Sequence, residues 1–597
     1  MSLPRWKILH GVVFAKRVNL VAPILLVASL GFFLPFARLG ADTHHDGLIF
    51  QTARVIANGG VIHRDVFSQY GQLSAYIDAL CLWLFGERVL ILHIEAVVIL
   101  SFAISFFAES WRRLYGTFVA VSAAVLCIAT AYFFLPSSDT QLLSWASDKT
   151  LFLIGLLSLI GTGKSLHKKM TWVIIGMICV LIMSTRIQIG FMTLVLLASL
   201  LMYAKQYKLL ASLLCGATSL LLACVALMAA HDMLFEWWTQ TVIWPQFSQA
   251  GFSYREWLYA IFRIARFSTL PILICGLTLW SVFKCYELAF KAASITKKIL
   301  QVATIAIFLA FALWMSEQKQ LQVWSIGEGG GFGPGYPHFF VNGYGILWVC
   351  FFGSFLLVPG ALHRFSRKRT DSVDATSMNR AQQVNLSNAF CLLIGCSASI
   401  GLFPRFDVAH VWWALVPTVG PVFGWMSKKM GASQLGLLRI WTIVALLLVF
   451  TQSLDSIHTK VKLVRVKMDG VPILDGSLIL YDELPGRFHS IFLATPYLRK
   501  YQDRPVINMC PDGIYAALTN STDLPDPYFI DWISLTDDVL VNDRRKNLWQ
   551  ERTKFIKSRH PVVWWCDLEE RSVGEKEKFT STYKVQWFTK NFGVVNP

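Results

Sequence analysis

The stretch Ala41-Asp-Thr-His-His-Asp-Gly-Leu-Ile-Phe50 follows the first long apolar segment, and it leads on to His63-Arg-Asp-Val-Phe-Ser-Gln-Tyr-Gly71. Acids, histidines and arginine are therefore concentrated beside a predicted membrane surface. The whole connection, residues 40–88, is far longer than the usual loop of about 4–6 residues. Exposed loops on a rigid scaffold are where binding and catalytic residues usually lie. This first loop is therefore the predicted functional region.

The rest of the chain has the composition of a membrane protein. It has 597 residues, of which 55% are hydrophobic and 15% charged, whereas soluble domains average about 25% charged residues. Apolar segments of roughly 18 residues or more recur and predict about thirteen transmembrane helices. The predicted spans are 18–39, 89–109, 114–135, 147–163, 170–185, 187–204, 208–230, 268–284, 299–316, 341–361, 387–404, 410–427 and 437–454.

The distribution of positive charge predicts the orientation of these helices. The net charge is +17, and most of the Lys and Arg residues in the loops between the predicted spans lie in the alternate loops that would face the cytoplasm, as the positive-inside rule requires. The N-terminus is then inside, and the loop 40–88 and the C-terminal tail are outside. A charge distributed in this way gives no indication of nucleic-acid binding.

Beyond about residue 455 the apolar runs shorten and charges become frequent, so the chain divides into a membrane domain, 1–454, and a small extracytoplasmic α/β domain, 455–597. Within the second domain we expect a surface helix over Arg544–Lys557. The predicted strands are Pro505–Met509, Val562–Trp565 and Tyr583–Phe588. Cys510 and Cys566 could form a disulfide outside the cell or remain two thiols, because the sequence contains no distance between them.

The first loop has the pattern of two short helices at the membrane surface. Behind Asp46 the apolar residues fall at near-helical spacing, namely Leu48, Ile49, Ala53 and Ile56. Asp42 and Asp46 would then lie near the start of this helix, where backbone N–H groups favour anions. The turn at His63-Arg-Asp65 leads to a second apolar helix over Leu73–Phe85.

This loop resembles that of the GT-C superfamily, which consists of polytopic glycosyltransferases that use sugars linked to a lipid phosphate. The resemblance is carried by the acidic start of the loop followed by Phe50, Ala53, Gly59-Gly60, Arg64-Asp65 and Tyr70-Gly71. An Asp-Glu pair is usual in the family, whereas Asp46 is followed here by Gly47. Either Asp46 or Asp42 can therefore be the main catalytic acid of the loop.

The resemblance implies a polyprenyl-phosphate sugar as donor and a lipid-linked or cell-envelope glycan as acceptor, in a bacterial inner membrane. Transfer needs a carboxylate to deprotonate the acceptor hydroxyl and cations to hold the phosphate. Asp46 is the first candidate for the base and Asp42 the second. Arg64 and Arg186 are the candidates for the phosphate, because guanidinium offers a planar fork of donors.

Further polar residues are candidates for substrate binding. In the first loop they are His44, His45, Asp65 and Tyr70, and between two later spans they are Arg405, Asp407 and His410. The competing interpretation is structural: the acids cap a helix, Arg64 and Asp65 form a surface ion pair, and residues 404–410 form a solvated turn. No cofactor is assigned with certainty, and no zinc-type spacing is present. Mg²⁺ or Mn²⁺ at carboxylates remains open.

Two other classes of protein compete with the glycosyltransferase. A transporter or flippase of a polar or lipid-linked substrate should carry more charge at the middle of its spans and paired broken helices. A non-catalytic assembly protein of the envelope would use the tail as an interaction module and would not need Asp42 or Asp46.

Overall fold

The computed structural model describes part of the chain. The described residues are 20–38, 45–68, 71–131, 147–243, 350, 353–354, 357–362, 380–402, 408–429, 465–467, 474, 478–480, 504–509, 554–566, 585–589 and 592–595. The predicted spans 268–284, 299–316 and 437–454 lie outside this part, so the expected number of about thirteen spans stays a prediction.

The described membrane domain is helical. Its α-helices are α1 (Val21–Phe33), α2 (His45–Ala57), α3 (Gln72–Phe85), α4 (Val89–Tyr115), α5 (Thr117–Ala131), α6 (Ser147–Gly161), α7 (Lys169–Met183), α8 (Ile187–Tyr203), α9 (Tyr207–Ala230), α10 (Leu234–Trp238), α11 (Arg380–Ala398) and α12 (Val408–Lys429). Short 3-10 helices follow α1 (Leu34–Arg38) and α11 (Ser399–Leu402), and a π-helix follows α10 (Thr239–Ile243). Residues 357–362 and 554–559 are also helical.

The first loop contains the two helices expected from its sequence. They are α2 and α3, and the turn between them includes a β-bridge from Ile62 to Val66. Tyr76, Leu80, Trp83 and Leu84 leave an exposed apolar face on α3, whereas its other face is buried. Both expected helices are therefore present, and α3 is amphipathic. The expectation that α2 lies on the surface with a polar face outward is wrong, because Gln51, Thr52 and Arg54 are buried as well.

Two boundaries differ from the sequence-based expectation. α4 runs to Tyr115 instead of ending near residue 109, because Arg112 and Arg113 in its last turn pair with Glu109 and remain compatible with helix. Only Gly116, with φ of 92°, then separates α4 from α5. α11 begins at Arg380, before the predicted start of the span 387–404. Its polar first turn is held where Gln383 Nε2 donates to the Gly163 carbonyl.

α4 is central to the helical core. It packs against α1, α5 and α6, while α7 packs closely along α9. At the α7–α9 crossing a Cβ on Gly176 would meet the Leu213 carbonyl, and a Cβ on Gly216 would meet the Val173 carbonyl. Small residues of this kind allow helix backbones to touch in membrane proteins.

Two of the described helices, Val89–Tyr115 and Tyr207–Ala230, are long and apolar enough to cross a membrane, and shorter apolar helices accompany them. Apolar side chains also face outward along α9, including Leu221, Leu222 and Leu227. These are the features of an integral membrane protein.

The described part of the C-terminal region contains two small sheets. β1 (Arg465–Lys467) pairs antiparallel with β2 (Leu478–Leu480). The second sheet has the strand order β3-β4-β6-β5, and its strands are β3 (Val506–Met509), β4 (Val562–Cys566), β5 (Val585–Thr589) and β6 (Phe592–Val595). β3 and β4 are parallel and the other pairs antiparallel. The three strands expected here are present within two residues of their predicted limits, and the domain division at residue 455 remains a prediction.

Candidate active site

Asp46 lies in the first turn of α2, where the N-terminal backbone amides favour a negative charge. The residue is fully buried. Its Oδ2 lies 2.9 Å from Nε2 of His93, which is the fifth residue of α4. The carboxylate of the first loop is thus held against a membrane helix and shielded from solvent.

His93 is anchored on its other side as well. Its Nδ1 lies 2.9 Å from the backbone oxygen of Ala37, in the 3-10 helix that follows α1. The imidazole therefore connects α2, α4 and the end of α1, and it is also fully buried. Sequence reasoning did not assign a role to His93, although an ionisable residue inside an apolar span was a signal that could have found it.

The turn between α2 and α3 is held by a residue from far along the chain. Gln240, in the π-helix, accepts hydrogen bonds at Oε1 from His63 Nδ1 and from the Ser68 amide, each at 3.0 Å. Its Nε2 donates to the His63 carbonyl at 2.6 Å. His63 is buried and has φ of 66°, an uncommon conformation for a residue other than glycine. The π-helix that follows α10 thereby holds the first loop in place.

Arg64 and Asp65 form a bidentate ion pair at this turn, with both bonds at 2.9 Å. The side chains are 45% and 36% exposed. The hydrogen bonds from Arg64 hold the pKa of Asp65 below its usual value. The structure therefore shows the surface ion pair that the sequence left as the competing interpretation of these two candidates.

Arg186, at the N-cap of α8, is buried. Its guanidinium carbon lies 4.5 Å from the ring centroid of Trp413 in α12, within the range of a cation–π interaction. The neighbouring Thr185 accepts a hydrogen bond from Thr150 in α6 at 2.9 Å between the hydroxyl oxygens. Three membrane helices and a short turn thus fix this cation.

The first loop and the turn that carries Arg186 are in direct contact. The amide of Gly71 donates to the Thr185 carbonyl at 3.3 Å, and the amide of Leu73 donates to the Ser184 carbonyl at 2.9 Å. A Cβ on Gly71 would collide with Ser184, so this close approach requires glycine. The loop that carries Asp46 is therefore hydrogen-bonded to the turn that carries Arg186.

A second buried polar cluster, the Lys149 cluster, consists of Asp78, Glu95, Asp148 and Lys149. The lysine Nζ lies 2.8 Å from Asp78 Oδ1, 2.7 Å from Glu95 Oε2 and 2.8 Å from Asp148 Oδ2. Three ammonium hydrogens thus face three carboxylates, and all four residues are buried. Burial raises the pKa of Asp78. The sequence analysis did not predict this cluster.

The remaining predicted site residues are not described at the side-chain level. Asp42, His44, Tyr70, Arg405 and Asp407 lie outside the described residues. His45 and His410 lie in α2 and α12, where only their backbone is described. Their roles stay predictions. Among the described residues, no group of three or more His, Cys, Asp or Glu side chains could hold a metal ion.

Comparison with known proteins gives matches of this chain to solved structures at low sequence identity and low TM-score. No protein-family model matches it, and no curated protein matches it in sequence. It matches the Archaeoglobus fulgidus oligosaccharyltransferase solved with Zn and sulfate, with 15% identity, a TM-score of 0.37 and coverage of 72% of this chain. That match spans 53% of the archaeal chain, or about half of its length.

Two further matches cover nearly all of this chain. ArnT from Cupriavidus metallidurans, solved with undecaprenyl phosphate, has 12% identity, a TM-score of 0.41 and coverage of 97% of this chain and 98% of its own. Archaeoglobus fulgidus AglB, solved with an inhibitory peptide and a dolichol-phosphate, has 13% identity and a TM-score of 0.40. The match covers 96% of this chain and 74% of AglB. At such identities and TM-scores the matches say nothing about individual residues.

Proposed function

We propose that this protein is a membrane glycosyltransferase that moves a sugar from a polyprenyl-phosphate donor to a glycan or lipid acceptor of the cell envelope, on the extracytoplasmic face. One observation carries the proposal: a fully buried carboxylate, Asp46, belongs to a loop that is hydrogen-bonded to the turn of the buried Arg186. An acid and a cation, each held by several helices, are the two groups that this transfer requires.

Asp46 is the proposed general base. A base must be shielded from competing water and held in one orientation, and Asp46 meets both conditions through its burial and its 2.9 Å contact with His93. Asp42 remains the second candidate from the sequence.

Arg186 is the proposed phosphate ligand. Its stacking on Trp413 fixes the plane of the guanidinium, and a guanidinium of fixed plane can donate two parallel hydrogen bonds to phosphate oxygens. Arg64, which is exposed and already paired with Asp65, would meet the donor only at the rim of the site.

In the proposed step the acceptor hydroxyl oxygen attacks the anomeric carbon while Asp46 removes its proton. The bond from the anomeric carbon to the phosphate oxygen breaks, and its electron pair leaves with the polyprenyl phosphate. A single displacement of this kind inverts the configuration at the anomeric carbon. The donor would enter sideways from the bilayer beside the first loop.

The proposal is tested by transfer assays on the purified protein with a panel of polyprenyl-phosphate sugars and cell-envelope glycolipid acceptors, with and without Mg²⁺ or Mn²⁺. We expect the wild type to transfer a sugar and Asp46→Asn to lower kcat by roughly 10²-fold or more. Asp232→Asn is the matched control, since Asp232 is an exposed acid at the end of α9 and the change is chemically identical. Equal transfer by Asp46→Asn and the control would exclude Asp46 as the base.

The Lys149 cluster favours the transporter as the second candidate function. Buried charges inside a helical bundle often line the path of a polar substrate, and four charged side chains meet here. Proteoliposomes separate the two functions: movement of a lipid-linked sugar across the bilayer without formation of a glycosylated product would support transport and contradict the glycosyltransferase.

A further inference from the structure

We infer that the Asp46–His93 pair holds one shared proton and that His93 is the positioning residue that keeps Asp46 in its basic form. The inference rests on the proposed function for its catalytic consequence. Its structural part rests on two contacts of one imidazole ring, His93 Nε2 to Asp46 Oδ2 and His93 Nδ1 to the Ala37 oxygen, both at 2.9 Å.

The position of one hydrogen follows from the Ala37 contact. A backbone carbonyl oxygen can only accept a hydrogen bond. Nδ1 of His93 must therefore carry a hydrogen and donate it to Ala37. In a neutral imidazole, Nε2 would then carry no hydrogen.

The Asp46 contact requires a second hydrogen. An unprotonated Nε2 facing an ionised carboxylate at 2.9 Å would place two lone pairs against each other in a region closed to water, which is unfavourable. One proton must therefore lie between the two atoms, on Nε2 or on Oδ2. In either case the pair as a whole is neutral, which explains how both side chains can be completely buried.

Only the form with the proton on Nε2 leaves Asp46 as a carboxylate that can act as a base. In the proposed step this carboxylate takes the acceptor proton at Oδ1 while His93 remains hydrogen-bonded at Oδ2. The charge of the pair then rises from zero to +1, and the charge of the phosphate changes from −1 to −2 as the phosphodiester becomes a phosphomonoester. The total charge is conserved, and the pair becomes positive as the leaving group becomes more negative.

The alternative is that His93 only fills space and connects helices. The two roles differ in what can replace the ring. Space filling needs a ring of the right size, whereas holding a proton needs a ring that binds one near neutral pH.

The test is chemical rescue of His93→Ala. We expect this variant to lose kcat by roughly 10²-fold or more, with the KM for the donor changed less than about 3-fold. Added imidazole should restore activity at least tenfold, and thiazole, which has the same ring size but stays unprotonated at neutral pH, should not. His231→Ala is the control, because His231 is exposed at the end of α9. Rescue by both rings to the same extent, or full activity of His93→Ala, would overturn the inference.

A second measurement needs no substrate. Without His93 the buried Asp46 should become a neutral carboxylic acid, so the infrared spectrum of His93→Ala should gain a carboxylic C=O band that disappears in the His93→Ala/Asp46→Asn double variant. The wild type should show no such band from Asp46. A band from Asp46 in the wild type, or no band in His93→Ala, would contradict the inference. Should the smaller residue prevent folding, His93→Gln replaces His93→Ala in the kcat and infrared measurements with the same expectations, because glutamine fills the space but holds no proton for Asp46. Added imidazole is then not used, since glutamine leaves no cavity for the ring.

The outcomes separate this inference from the proposed function. Full transfer by Asp46→Asn would remove the base and with it the proposed function. Loss of transfer in Asp46→Asn together with full transfer in His93→Ala would leave the proposed function in place and remove only the role of His93.

Discussion

His63 is buried in the turn between α2 and α3, and its burial determines its charge. Loss of solvent lowers its pKa to about 4, although Gln240 and the nearby Glu236 act in the opposite direction. The folded protein therefore holds this imidazole neutral, while the unfolded chain takes up a proton below about pH 6.5. The stability that results is complete above that pH and is lost as the pH falls toward 4.

The difference in the pKa of His63 between the folded and the unfolded protein predicts that the free energy of unfolding depends on pH. Lowering the pH from about 7.5 to about 5 should cost the folded state about 2 kcal/mol through His63 alone. The measurement is the Tm in detergent at the two pH values. His63→Asn, which tolerates a positive φ, should show a smaller drop in Tm between them. An equal drop in the two proteins would mean that His63 is not the titrating group.

Arg186 stacks on Trp413 through a flat guanidinium, and a lysine cannot reproduce that geometry. We expect Arg186→Lys to raise the KM for the donor by roughly tenfold, which is about 1.4 kcal/mol of lost binding, with little change in Tm. The control is Arg113→Lys, because Arg113 is a half-exposed residue in the last turn of α4. An unchanged KM would remove Arg186 from the phosphate site.

Among the elements, the Lys149 cluster fixes α3 to the membrane bundle. Lys149 at the start of α6 lies within ion-pair distance of Asp78 on α3 and Glu95 on α4, so one ammonium connects the first loop to two helices. Removing the only cation of a buried cluster leaves charges without compensation, which typically costs about 3–5 kcal/mol.

Lys149→Met should therefore lower the Tm strongly or reduce the yield of folded protein. The double variant Lys149→Met/Asp148→Asn should recover part of the loss, because it leaves fewer acids to neutralise. Lys168→Met, at an exposed lysine before α7, is the control. A Tm for Lys149→Met equal to that of the control would mean that the cluster contributes no net stability.

On the scale of the whole molecule, the helices of the membrane domain were predictable because long apolar runs are a local property of the chain. The apolar spacing behind Asp46 predicted α2, and the run at 73–85 predicted α3. The ends of the helices were harder to predict. The predicted span 89–109 stops before Arg112 and Arg113, whereas Glu109 pairs with both and the helix continues to Tyr115.

The candidate site was predictable only in part. Asp46 was identified as a helix-start acid beside the membrane, and Arg186 as a cation at a short outer turn. His93 was missed, because an imidazole within an apolar span carries no sign of its partner. Arg64 and Asp65 were chosen for their chemistry, but the structure pairs them with each other at an exposed turn.

The sequence by itself determined the membrane character, the two helices of the first loop and the position of Asp46 at the start of one of them, because periodicity and composition act over a few turns of chain. Only the tertiary structure decided which polar groups meet. His93 reaches Asp46 across 47 residues, Lys149 reaches Glu95 across 54, and Gln240 reaches His63 across 177. Such pairs depend on how packed helices are rotated about their axes, and the need to satisfy buried charge selects the partner.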